Sequence, residues 1–204
     1  MLPARLQLAL IALTLCAAAA VAGVWLAARN RPQPANVLQI TNGWAGALRP
    51  DGQRVPDFAL RDQDGRTVTS ASLRGRPVVF AFIYSTCRDT CPAQVQTIRG
   101  ALDDLGRDVP VVGVSVDPAG DTAERARRFV RRMRMTGRMT YLLGDRPALA
   151  RVWRAFGIRP QSADLEHSAY VVLVDGRGRQ RIGFPSHELT QAGLAHDLAR
   201  LTGD

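Results

Sequence analysis

The chain has 204 residues, with 27 basic against 18 acidic side chains and a formal net charge of +9. Every basic residue is arginine and none is lysine. Such an excess invites a nucleic-acid reading, but the arginines are scattered apart from Arg125, Arg127, Arg128, Arg131, Arg132 and Arg134, and the N-terminus points to export, so no nucleic-acid partner is expected.

Residues 6–28 are apolar except for Gln7 and Thr14. As a helix, a stretch of this length crosses the roughly 30 Å hydrocarbon layer of a bilayer. Arg5 precedes it and Arg29 and Arg31 follow, so charge gives little guidance on orientation, and position at the extreme N-terminus decides. Residues 1–29 therefore read as a signal peptide or, preferably, an uncleaved signal anchor with the rest of the chain outside the cytoplasm. Cys16 fits as a small apolar residue of that helix, because Leu15 stands where a lipidation signal needs a small side chain. The anchor leaves about 170 residues, enough for one domain with a sizeable core.

Residues 30–54 are rich in Gly, Pro, Asn and Gln without sustained periodicity and read as a tether with some local structure. The domain is expected over 55–204. Residues 58–60 and 66–69 flank Asp64-Gly65, a hairpin turn signal. Residues 78–84 are apolar on both faces, as in a strand covered by helices on each side; 109–116 and 169–174 share this character, and an antiparallel edge strand is expected over 179–184. Helical spacing joins Val95, Ile98, Leu102 and Leu105. Asp121 or Thr122 caps a helix that buries Phe129 and Val130, Leu149, Val152, Trp153 and Phe156 mark a third, and Leu194, Leu198 and Leu201 a fourth. The arginine cluster falls on the second of these helices and reads as its solvated face, leaning towards anionic lipid or an acidic partner. Strands alternating with helices give a compact α/β sheet.

The first central strand runs into Cys87-Arg88-Asp89-Thr90-Cys91-Pro92. Four residues apart on a helical or tightly turned backbone, the two sulfurs fall on one side. Pro92 suits a first helical turn, so Cys91 sits at the positive end of a helix dipole where thiolate is favoured, and Arg88 adds positive charge. The pair is compatible with a disulfide, a reductase or a soft metal ion. A third ligand is available in His167, before the strand at 169–174, if that strand runs antiparallel to the cysteine strand. Asp117, at a strand end before Pro118, is a candidate to tune the site or to close a turn. Met133, Met135 and Met139 read as helix-end packing rather than thioether ligands, and His187 and His196 as surface residues.

Three motifs in order, Cys-x-x-x-Cys-Pro after an apolar strand, Val114-Ser115-Val116-Asp117-Pro118 followed by Asp121-Thr122, and an acidic residue with His167 before a tyrosine-containing strand, resemble the Sco/SenC family over residues 55–201. The resemblance implies a thioredoxin-like fold, a central mixed sheet flanked by helices and preceded by one N-terminal transmembrane helix. It implies a copper ion held by Cys87, Cys91 and His167. The role implied is that of a metallochaperone for the copper-containing subunit of cytochrome c oxidase, with another copper donor as a possible second partner. With the anchor, it places the domain on the periplasmic side of the inner membrane. The alternative is a thiol-disulfide oxidoreductase in which Cys87 and Cys91 are redox active and reduce the cysteines of that copper site; a peroxiredoxin-like peroxidase is the further rival. Two positions depart from the family pattern: Arg88 stands where proline is frequent and Glu166 where aspartate is frequent.

Overall fold

The computed structural model describes residues 3–29, 38–159 and 170–203; within the first of these, side chains form a continuous described run over 13–25. The chain divides into two compact units, residues 1–37 and 38–204. In the first, Ala4–Arg29 forms one α-helix, α1. Among the described residues no helix is long and apolar enough to cross a membrane.

The second unit is built on a sheet that contains, among the described residues, six strands. In chain order these are β1 (Ala47–Leu48), β4 (Val78–Ile83), β5 (Val111–Ser115), β6 (Met139–Leu142), β7 (Tyr170–Val174) and β8 (Gln180–Pro185), arranged β1-β8-β7-β4-β5-β6. A separate hairpin pairs β2 (Ala59–Arg61) with β3 (Thr67–Thr69), turning through Gly65 at φ 81° as the Asp-Gly signal requires. Helices α2 (Thr90–Leu105), α3 (Ala123–Arg132), α4 (Arg146–Phe156) and α5 (Gln191–Thr202) complete the unit.

β4 is buried along its whole length, and its side chains alternate between two cores. Val79, Ala81 and Ile83 pack with Val95, Ile98 and Leu102 of α2, Phe129 and Val130 of α3 and Leu194 and Leu198 of α5. Val78, Phe80 and Phe82 pack on the other face with Leu149, Val152, Trp153 and Phe156 of α4 and with Phe58 and Leu60. An all-apolar strand between helical layers is the expected consequence of burial on both faces. β4 runs parallel to β5 and β5 parallel to β6, while β7 runs antiparallel to β4 in the register Val78↔Val174 to Ala81↔Val171. The sheet is therefore mixed, and the start of β7 lies at the same rim as the end of β4.

Three findings go beyond the sequence reading. β6 is an additional strand: Met139 and Tyr141 point into the core with Met133 and Met135, so the methionines are packing residues of a strand and of the turn before it. β8 is not the sheet edge, because β1 covers it through Ala47↔Gly183 and Leu48↔Ile182. The local structure expected between residues 30 and 54 is thus part of the sheet. It is fixed there by Asp197 of α5, wholly buried, whose two carboxyl oxygens accept the Ala45 and Gly46 N–H groups at 2.9 Å each. His196, expected at the surface, is half-buried with Nδ1 2.9 Å from Asp197.

Candidate metal centre

The sequence turns sharply after Ile83. The Ser85 N–H and hydroxyl both donate to Asp121 Oδ1, at 2.7 and 2.5 Å, and the Cys87 N–H donates to the Tyr84 carbonyl at 3.3 Å. Asp121 is held from the other side by the hydroxyls of Ser115 at 2.5 Å and Tyr141 at 2.8 Å, both donating to Oδ2. One carboxyl group therefore ties the ends of β4 and β5, a residue of β6 and the cysteine turn together. The helix cap expected from Asp121 or Thr122 is made by Thr122, whose hydroxyl accepts the Arg125 N–H at 3.2 Å. That leaves Asp121 free for the rim.

Helix α2 then begins at Thr90 with Asp89 at the cap position, but the Asp89 side chain accepts no capping hydrogen bond. The sulfur of Cys87 takes this place: the Cys91 N–H, one of the orphan donors of the first turn, points to Cys87 Sγ at 3.2 Å. Both residues are buried free thiols, Cys87 5% exposed and Cys91 fully covered. Arg88 and Asp89 between them face solvent.

The two sulfurs are unequal. Burial raises the Cys87 thiol, but hydrogen bonds from the Cys91 side chain, from the Cys91 and Asp89 backbone and from Tyr84 outweigh it and hold Cys87 below its ordinary value. Burial dominates at Cys91 and pushes it well above the usual thiol range, and the adjacent Cys87 adds to the shift. The Tyr84 hydroxyl, partly buried and hydrogen-bonded to Cys87, is pushed up to about 12. The arrangement presents one thiol disposed to ionise, a second kept protonated beside it and a tyrosine that remains a donor.

Of the three ligands expected, the structure brings Cys87 and Cys91 together, and His167 lies outside the described residues. Among the described residues no group of three or more His, Cys, Asp or Glu side chains comes together as a metal site. Asp117 adopts the turn role, its Oδ1 accepting the Gly120 N–H at 3.0 Å. His187 is exposed beside Glu188. Sequence reasoning missed Ser85, Ser115 and Tyr141, which buttress the turn.

The family model for SCO1/SenC matches residues 47–203. The chain belongs to the SCO1/SenC family. Its fold is that of ScoI from Bradyrhizobium japonicum, solved with copper bound: 29% identity, TM-score 0.62, covering 72% of this chain and 99% of that one. BsSco, described as a member of the Sco family of cytochrome c oxidase assembly proteins and as carrying a disulfide switch, shares the fold at 20% identity and TM-score 0.65, covering 76% of this chain and 97% of that one. The mitochondrial SCO2 homolog of Bos taurus is 27% identical over 173 residues, 78% of this chain and 63% of the relative. The chain spans between about a third and just under two thirds of the first curated relatives it matches, 35% of an Arabidopsis thaliana SCO1 homolog being the smallest share. The α/β architecture is thus the thioredoxin-like one that the motifs implied.

Proposed function

We propose that the chain binds copper through Cys87, Cys91 and His167 and delivers it for assembly of the copper centre of cytochrome c oxidase. The observation that carries this reading is the paired free thiols on one turn at the end of the central strand, with Cys91 N–H on Cys87 Sγ. Two soft sulfur donors suit Cu(I), and an imidazole completes a set that also accepts Cu(II). The antiparallel register of β7 against β4 supports His167 as the third ligand, because Tyr170, three residues after it in sequence, starts β7 at the rim where β4 ends. The domain organisation proposed with it is an anchor at residues 1–29, a tether after it and a copper-binding domain. The anchor rests on the sequence, in which residues 6–28 are apolar except for Gln7 and Thr14. The domain then faces the periplasm from the inner membrane.

Titration of the purified chain with Cu(I) under reducing conditions is expected to give one tight site per chain, lost in Cys87→Ala and in Cys91→Ala. Full binding by His167→Ala would remove that residue from the ligand set. The reading of a dithiol reductant for the oxidase copper site is favoured by the adjacency of the two buried thiols on one turn, where hydrogen bonds lower Cys87 and burial raises Cys91. The two are separated in cells that lack the native protein: a chaperone fails to load the oxidase with either Cys87→Ala or His167→Ala, whereas a reductant fails only with the cysteine change.

A further inference from the structure

Gln94 is 3% exposed, yet among the described residues neither its side-chain oxygen nor its nitrogen has a hydrogen-bond partner. Leaving such a group unpaired in the interior is unfavourable, because its hydration is lost and nothing replaces it. The same face of α2 is otherwise filled by Cys91, Val95, Ile98, Ala101 and Leu102, so an apolar side chain would fit the position without that penalty. Gln94 lies one helical turn after Cys91, where side chains at i and i+3 sit roughly 5–6 Å apart at Cβ. Helical side chains lean towards the N-terminus, which along α2 is the direction of Cys91. An i, i+3 pair on one helix is a spacing that holds a single metal ion in bundle sites.

We infer that the Gln94 side-chain oxygen is a fourth donor to copper bound at Cys87 and Cys91, engaged by the oxidised ion. This rests on the copper-binding reading above. Cu(I) is satisfied by soft ligands in low coordination, while Cu(II) favours a tetragonal set with nitrogen and oxygen, and a long axial amide oxygen is one of the devices that tune a copper–thiolate site. A neutral amide supplies the extra ligand without adding charge to a site that already carries thiolates. Gln94 thereby sets how well the oxidised ion is held relative to the reduced one.

The test uses the full-length chain, its Gln94→Leu and Gln94→Glu variants and a Cys87→Ala control, loaded anaerobically with Cu(I) or Cu(II). Gln94→Leu is expected to change the electron paramagnetic resonance and absorption spectra of the Cu(II) form and to weaken Cu(II) binding by about 10–100-fold, with Cu(I) affinity unchanged. Gln94→Glu returns an oxygen donor and restores Cu(II) affinity. In the metal-free chain Gln94→Leu raises the melting temperature, because it removes an unpaired buried amide. Unchanged Cu(II) spectra and affinity in Gln94→Leu overturn the inference, and so does a parallel loss of apo stability and of both copper affinities, the mark of a packing role. Cys87→Ala keeps the two failures apart. If it abolishes copper binding while Gln94→Leu changes nothing, only the fourth ligand is wrong; if it retains copper, the site itself is wrong.

Discussion

Asp121 accepts hydrogen bonds from the Ser85 N–H, the Ser85 and Ser115 hydroxyls and the Tyr141 hydroxyl, all within a site where the carboxyl group is 9% exposed. Once the carboxyl is removed the Tyr141 hydroxyl keeps only the Ile83 carbonyl, 3.4 Å away, and the Ser85 N–H and the two serine hydroxyls lose the acceptor they share. Asp121→Ala is expected to destabilise the domain by about 3 kcal/mol or more in urea denaturation. Asp121→Asn keeps one acceptor for Ser85, and the hydroxyls of Ser115 and Tyr141 can rotate to accept from the new amide, so its loss is expected to be about 1 kcal/mol. Equal losses for the two variants would mean that charge, not hydrogen bonding, holds the turn. The residue was legible as part of a family motif and as an alternative cap to Thr122, not as the carboxyl that holds the rim. A capping carboxyl and a rim carboxyl share the same sequence surroundings, and the distinction depends on Ser85 and Ser115, which reach Asp121 only when β4 and β5 pair. The pairing of the two thiols was legible, since their spacing and the following proline act locally; the thiolate expected at Cys91 was not borne out, because burial there outweighs the helix end and raises that thiol, and it is Cys87 that is lowered.

At the scale of elements, the apolar runs and helical spacings that depend on neighbours in sequence predict β4, β5, β7 and the four helices of the second unit, with ends that differ by a few residues. β6 and β1 escaped because neither carries a local signal. Met139 to Leu142 is a four-residue strand between Gly137 and Gly144 that exists by pairing with β5, and its methionine reads equally as helix-end packing. β1 is two exposed residues whose place is set by β8 and by Asp197. Gly46 explains why the approach is so close: a Cβ there would come within 2.5 Å of Ile182 and 2.7 Å of Phe184. Asp197→Ala is expected to leave the Ala45 and Gly46 N–H groups unpaired, to lower stability by about 3 kcal/mol and to accelerate hydrogen exchange at those two amides above the global rate. Exchange there at the unaltered rate would assign the segment's order to β1–β8 pairing alone.

For the whole molecule the question is where the folding unit starts. Composition places the boundary at Val55, where the Gly-, Pro- and Asn-rich stretch gives way to patterned sequence; the contacts place it between Val37 and Leu38. The difference is physical. Residues 38–54 lack periodicity because they form little regular structure of their own, yet they close the sheet over β8, bring Trp44 against the Arg200 guanidinium at 4.7 Å and engage Asp197. Arg49 adds bonds to the Phe156 carbonyl and to Gln180 Oε1, at 2.9 and 3.0 Å, so the same stretch also ties α4 to β8. A chain starting at Leu38 is therefore expected to melt cooperatively at nearly the temperature of the longer chain. One starting at Val55 takes the two backbone donors away from Asp197, leaving it His196 alone, and leaves the β8 edge open, which favours strand addition from another chain. It is expected to lose several kcal/mol of stability and to associate at raised concentration. Thermal melts and light scattering on the two fragments check this, and equal melting temperatures with both fragments monomeric would return the boundary to Val55.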